Sequence, residues 1–315
     1  MSLDHWENYY RGGLLATCPT GTAGSYDLEV RQAWVSFFKP LPDDARIVDV
    51  GTGNGAVILI ARESAAALDK HWELHGTDLA RIDPVAYVPD GEKRFSGVKF
   101  HSGIPAERLP FEDASVDAIC THYVLEYTDV EATLSEFARV LKSGGRAQFI
   151  IHHQDSRLVD SANWSIREAE IVKELAVYRR LHQLINIEGN PEKVVEKRTA
   201  ELRESIQKLK LEHQHANHAG HGSIFRATLE AVQKLLEMRK QAPATTVERE
   251  IDRVRAELRA GVRRVKDLVK AALSETDMKA LAQQAGAAGL SQVEFSPLVH
   301  AGHQLVGWRM TAQKD

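Results

Sequence analysis

Cysteine is scarce in this sequence. Its 315 residues include only Cys18 and Cys120, far apart in the chain. That excludes a disulfide framework and points to a reducing compartment. No base adjoins either thiol in the sequence, so both are expected to be buried and inert. Long apolar runs are missing too. The longest, around residues 56–61, falls far short of the ~20 residues that cross a bilayer. The opening stretch, MSLDHWENYYRGG, places charges where a secretory signal needs an apolar centre. A soluble, cytoplasmic protein without membrane partners is therefore expected. Positive charge is not in excess: 40 Lys and Arg against 44 Asp and Glu leave a net charge of −4. This disfavours nucleic acid as a partner. There is no internal repeat and no low-complexity tract.

What is present reads as a globular protein, 43% hydrophobic and 27% charged. Its length suits one large domain or two ordinary ones. In residues 27–39, Leu28, Val30, Trp34, Phe37 and Phe38 fall near helical spacing, and Pro40 and Pro42 end that helix. ARIVDV is a β-branched run that predicts a buried strand. The helix AVILIARESAAAL follows, then strands in HWELHGTDL, GVKFHSG and VDAICTHYVL. Residues 129–145 predict a helix stopped by Gly144 and Gly145 in a left-handed cap, and RAQFIIHH predicts a fifth strand. After His153 the texture changes: residues 165–187, 192–212, 223–241 and 245–273 all read as helices. In the last, Val247, Ile251, Val254, Leu258, Val262, Val265, Leu268 and Ala272 form a near-heptad stripe. That stripe suits either packing within the chain or a seam with a second copy. A helix at 276–290 and two alternating stretches, SQVEFSPLV and HQLVGWRMTAQ, close the chain.

Strands alternating with helices predict an α/β, Rossmann-like doubly wound sheet, mostly parallel and seven-stranded, with a large all-helical insertion after the fifth strand. The expected division is 1–155 for the first part of a core with N-terminal lid helices, 156–274 for the insertion, and 275–315 for the last helix and strand pair. The insertion leaves from the carboxyl edge of the fifth strand. It is expected to cap an acceptor site, to form a homodimer, or both.

The chemistry concentrates at Gly51-Thr52-Gly53-Asn54-Gly55, where the first strand feeds a helix. Glycines there permit positive φ and close approach, and the helix start offers free N–H groups. With Ala56 the stretch also satisfies the dinucleotide pattern G-x-G-x-x-G/A. Asp49 weighs against a pyrophosphate: a carboxylate two residues before Gly51 repels an anion and favours a cation. Asp78, at the end of the second strand, is placed to accept the hydroxyls of a ribose. A ribose, an adenine and a positive centre without phosphate describe S-adenosylmethionine.

With these residues in view, VDVGTGNG resembles the first motif of the class I S-adenosylmethionine-dependent methyltransferases. AERLPFEDASVDAICTHYVLEYTDVEATLSEFARVLKSGGRAQFII is similar to their small-molecule, methyltransferase-11-like branch. It carries Leu109-Pro110-Phe111, Ser115 with Asp117, and the run Arg139 to Gly145. The likeness covers residues 40–155 and, more loosely, 275–313. It implies that S-adenosylmethionine is the cofactor and a small molecule the acceptor. Asp49 would orient the methionine amino end; Gly51, Thr52, Gly53 and Gly55 would lie against the ligand. Asp78 would hold the ribose and Leu79 pack on the adenine, with Ala106 and Glu107 flanking it. Thr121 and His122 would line the methionine and acceptor side. One departure stands out. The family carries an Asp for the adenine amine before the L-P-F element, where this chain reads Gly103-Ile104-Pro105-Ala106.

Methyl transfer from a sulfonium needs mostly positioning, and a base only for some acceptors. The candidates past the fourth and fifth strands are His122, Tyr123, Glu126, His152 and His153, with His122 first and His153 second as catalytic residues. Tyr127 stands where relatives often carry His. Trp6, Tyr9, Tyr10 and Arg11 are candidate lid residues. His213, His215, His218 and His221 are rich in imidazole, but the glycines beside them suggest a turn and no metal is expected. THYV replaces the N/D-P-P-Y/F element of amino-directed nucleic-acid enzymes. Two other readings stay open: an S-adenosylmethionine-binding scaffold without transfer activity, and a nicotinamide-dependent oxidoreductase.

Overall fold

In the computed structural model, residues 4–18, 20, 24–187 and 191–315 are described. They divide into two compact units, residues 1–159 with 271–315, and residues 160–270.

The first unit opens with α1 (Asp4–Arg11) and α2 (Leu28–Phe38), followed by β1 (Arg46–Val50), α3 (Ala56–Leu68) and β2 (Glu73–Asp78). Two short turns of helix, α4 (Pro84–Tyr87) and α5 (Gly91–Arg94), lead into β3 (Val98–Ser102). Then come β4 (Val116–His122), α6 (Val130–Val140) and β5 (Leu141–Ile151). The strands pair in the order β3-β2-β1-β4-β5, every pairing parallel. The sheet is completed late in the chain. After α12 (Glu275–Ala287), β6 (Leu290–His300) and β7 (Gln304–Lys314) form an antiparallel pair, and β7 runs antiparallel to β5. β1 sends its connections to opposite sides, so the carboxyl ends of β1 and β4 border the crevice where open α/β sheets bind ligands.

The central strands β1, β2 and β4 are buried on both faces, as strands covered by helices must be. Ile47 and Cys120 join Trp34, Phe37, Phe38, Ile58 and Ile60 on one side. Their neighbours Val48 and Ile119 join Leu134, Phe137 and Phe149 on the other, following the two-residue alternation of a strand. α12 starts from a capping box between Ser274 and Asp277.

The end of α6 differs from the expected glycine cap. The helix stops at Val140, and Leu141 is already extended and paired with Val116. Lys142 reaches Asp117 at 2.8 Å, so strand pairing draws the chain out of the helix before Gly144.

The second unit is helical throughout among its described residues. α7 (Arg157–Glu174) and α11 (Ala244–Ala271) run across its boundaries and enclose α8 (Val177–Ile185), α9 (Glu192–His218) and α10 (Ser223–Arg239). The single helix expected over 165–187 is two, broken at Ala176, whose φ of 54° is left-handed. Val177, Leu181, Leu209, Phe225, Leu235, Val247 and Ile251 form the core, with Val254 and Leu258 packed against it. The first half of the α11 stripe is thus used inside the chain. Leu258 and Val262 line a cavity of about 690 Å³ with Ala169, Val172, Ala176 and Val177. Glu168 accepts from the backbone N–H of Gly222, Ile224 and Phe225 at 2.7, 2.8 and 3.4 Å, which caps α10. Among the described residues no helix is long and apolar enough to cross a membrane.

Candidate active site

β1 delivers Asp49 to its carboxyl end, where the side chain is 1% exposed. Its Oδ2 accepts from the Thr52 hydroxyl at 2.7 Å, and the Cys120 thiol lies 3.8 Å from Oδ1. These partners are few for a buried carboxylate, and burial pushes its pKa up to about 7. Thr52 N–H donates to Thr77 O at 2.9 Å and ties the bend to β2. Asp78, also buried, closes the other side: Oδ2 accepts from Gly53 N–H at 2.9 Å and Oδ1 from Ala80 N–H at 2.8 Å. Burial raises this carboxyl to about 6 against the pull of those two bonds.

The glycines of the bend answer to the protein's own side chains. A Cβ on Gly51 (φ 69°) would come within 2.4 Å of Val124, and one on Gly53 (φ 53°) within 2.7 Å of the Tyr10 ring. Gly55 caps α3. Asn54 holds the end of α1 over the bend, donating from Nδ2 to the carbonyls of Tyr10 and Leu14 at 2.9 and 2.8 Å. Trp6, Tyr9 and Tyr10 pack there with Ala80 and Ile82. Of the expected adenine neighbours, Leu79 is 51% exposed and Ala106 is buried in the core. Glu107 Oε1 accepts from Asp129 N–H at 3.0 Å.

β4 ends in Thr121, whose buried hydroxyl has no partner, and His122. His122 stacks on Tyr26 at 4.0 Å and 14°, and its Nδ1 accepts from the indole N–H of Trp34 at 3.1 Å. Tyr123 follows with a left-handed φ of 58°, a conformation that costs energy outside glycine. Its hydroxyl donates to Val306 O at 2.9 Å, and its ring lies on His152 at 3.9 Å and 6°. His152 N–H donates to Glu126 Oε1 at 2.8 Å. Burial moves the Glu126 carboxyl up to about 8 and the His152 imidazole down to about 3.

β5 stops at Ile151, so the next two side chains part company. His152 joins the ring system that includes His122. His153 does not: it stacks on Trp308 at 4.1 Å, and its Nδ1 accepts from Asp155 N–H at 3.0 Å. The two thiols are no nucleophiles at neutral pH. Burial raises Cys18 to about 11 and Cys120 also upward.

The sequence model of the family described as "Methyltransferase domain" matches residues 48–149. This segment, about a third of the chain, is thus similar to the methyltransferase domains of that family. The Campylobacter jejuni ubiquinone/menaquinone biosynthesis C-methyltransferase UbiE is 33% identical over 107 residues, 33% of this chain and 43% of that protein. The Bacillus subtilis methyltransferase YcgJ is 34% identical over 111 residues, 34% of this chain and 41% of that protein. The chain therefore spans less than half the length of these curated relatives. The solved structure of YcgJ overlaps 43% of this chain and 58% of its own, at 27% identity and a TM-score of 0.34.

In the matched segment, the motifs point to the two acids, the bend and His122. They do not point to Tyr26 or the Trp34–His122 bond. Tyr26 lies outside every motif and meets His122 only through the fold, and Trp34 reads as core from its helical spacing. Of the histidines singled out in the helical unit, His215 and His218 are exposed and the other two pack against neighbours. His221 stacks on Trp164 at 4.5 Å, and His213 packs against Gly222. Among the described residues, no group of three or more His, Cys, Asp or Glu side chains is arranged to hold a metal ion.

Proposed function

We propose that the protein transfers a methyl group from S-adenosylmethionine to a small-molecule acceptor by in-line displacement. The observation that carries this reading is the pair of buried carboxylates, Asp49 and Asp78, bracketing the glycine bend inside the matched segment. The donor set fits the cofactor. Asp78 accepts from ribose hydroxyls, Asp49 faces the cationic methionine end, and Leu79 offers an exposed apolar face to adenine. Ala106 and Glu107 flank that ring, and Thr121 and His122 border the methionine side. Bound there, S-adenosylmethionine supplies an electrophilic methyl on a sulfonium. The chain's own task is to hold the acceptor in line and keep water out, an orientation effect worth roughly 7–11 kcal/mol in well-aligned systems. The enclosed rings of Tyr26, His122, Tyr123 and His152 support a small acceptor. So does the Campylobacter relative, named for C-methylation in ubiquinone and menaquinone biosynthesis.

Calorimetric titration tests the reading. Wild type is expected to bind S-adenosylmethionine and S-adenosylhomocysteine, and Asp78→Ala to lose that binding. No heat with wild type overturns it. A homodimer through the helical unit is proposed beside it, on the second half of the α11 stripe, where Val262 and Val265 stay only partly covered. Light scattering is expected to show two copies for wild type and one for Val262→Glu; a monomeric wild type overturns the dimer.

A further inference from the structure

His122 is a natural candidate for a general base, yet its bond to Trp34 argues otherwise. An indole N–H only donates. At 3.1 Å it must meet a lone pair, so His122 Nδ1 is unprotonated. Trp34 is wholly buried and no other acceptor faces its indole, so turning the ring would put Cδ2–H against it and protonating Nδ1 would set two N–H groups against each other; either leaves the indole unpaired. Burial and the neighbouring His152 hold the His122 pKa well below its ordinary value, so the ring is neutral. A neutral imidazole without hydrogen on Nδ1 carries it on Nε2. That Nε2 is buried and has no partner in the protein. Tyr26, stacked on the ring at 4.0 Å, keeps its plane fixed.

We infer that His122 is a fixed hydrogen-bond donor: Trp34 locks its Nε2–H tautomer, and the unpaired N–H at the carboxyl end of β4 is offered to a lone pair on the methyl acceptor. His122 therefore binds the acceptor and does not take its proton, because Nε2 already carries one and Nδ1 is committed. The partner it recognises is an oxygen with free lone pairs, a carbonyl or a phenolate, and not an ammonium or amide N–H, which would confront it donor to donor. Glu126 strengthens this selection. Its Oε1 is occupied by His152 N–H while Oε2 is buried without a partner, and a carboxyl raised to about 8 is mostly protonated at neutral pH and so also donates. Trp34 is then a positioning residue, acting through His122. The assignment to an acceptor rests on the methyltransferase reading; the tautomer does not.

Nitrogen-15 NMR of the histidine-labelled full chain tests it. From about pH 5.5 to 8.5, His122 is expected to show one neutral ring with hydrogen on Nε2 alone. A ring protonated at Nδ1, or an imidazolium in this range, overturns the inference. Trp34→Phe is expected to release the lock and populate both tautomers; a single Nε2–H tautomer in a folded Trp34→Phe protein overturns the positioning role. Should that variant fail to fold, the wild-type spectrum still decides. With S-adenosylhomocysteine present, 4-nitrophenolate is expected to move the His122 Nε2–H resonance downfield and toluene to leave it in place. No shift with the phenolate overturns the lone-pair assignment. Calorimetry with S-adenosylmethionine separates the two claims: cofactor binding with the wrong tautomer defeats this inference alone, and the right tautomer without cofactor binding defeats the proposed function alone.

Discussion

Glu168 in the helical unit and Asp49 in the sheet unit are equally buried, each 1% exposed, but they are treated differently. Glu168 accepts from three backbone N–H groups at the start of α10. Asp49 has one hydroxyl and a distant thiol, and burial raises its pKa to about 7. The contrast extends to other side chains. Among the described residues, nearly all buried polar atoms without a partner belong to the sheet unit, and Thr121, His122, Glu126 and His152 cluster about the ends of β4 and β5. A buried polar group left unpaired costs about 1–3 kcal/mol, so such clustering marks a place kept for chemistry. The helical unit uses its buried carboxylate to cap a helix; the sheet unit leaves its own with few partners, as the proposed ligand site requires.

The largest expected effect that tests this contrast is at Asp78. Asp78→Ala removes two charge-assisted acceptors from the proposed ribose site, about 3–4 kcal/mol, or several hundredfold in S-adenosylmethionine affinity by calorimetry. An unchanged affinity would place Asp78 with Glu168 as an architectural acid. Glu168→Ala should do the reverse. It strands three N–H donors at a helix start, costing about 2–3 kcal/mol of stability seen by calorimetric melting, while cofactor affinity stays within about twofold of wild type. A parallel loss of affinity would break the distinction.

Next comes pH. A sulfonium ligand favours ionised carboxylates, and Asp49 and Asp78 ionise near 7 and 6. Affinity should therefore fall about twentyfold from pH 8 to pH 6, most of it through Asp49, and Asp49→Asn should flatten that slope at a weaker level. The same shift acts oppositely on stability. Asp49's carboxyl titrates higher folded than unfolded, so the folded state holds an extra proton between the two values. Its contribution favours folding at low pH and is lost as pH rises through about 7. Asp49→Asn should accordingly raise the melting temperature of the ligand-free protein at pH 8. Glu107→Ala is the smallest effect: with Oε1 already engaged by Asp129 N–H, affinity should move by less than about threefold.

Most of the sheet was legible because local patterns carry it: β-branched runs, helical spacing and the glycine bend name β1, α3, β2 and their order. Asp49 was legible because an acid in an apolar strand demands a reason. The end of α6 was not, because pairing of Leu141 with Val116 overrides two glycines that look like a stop. The break at Ala176 was not either, since alanine gives no sign of a left-handed turn. In the site, the sequence reading ranks His153 behind His122; the end of β5 at Ile151 instead brings His152 into the ring system and leaves His153 stacked on Trp308. The pairing of Trp34 with His122 joins residues 88 apart, and no local rule reaches that distance.

The strand order also sets a timetable. β5 finds its outer neighbour only in β7, which lies beyond all of α7 to α12 in the chain. On the ribosome, at about 5–20 residues per second, the open flank of β5 waits on the order of ten seconds for that neighbour. Tyr123 cannot reach Val306 until then. The nascent sheet thus exposes a raw edge during synthesis, and only pairing with β7 closes it.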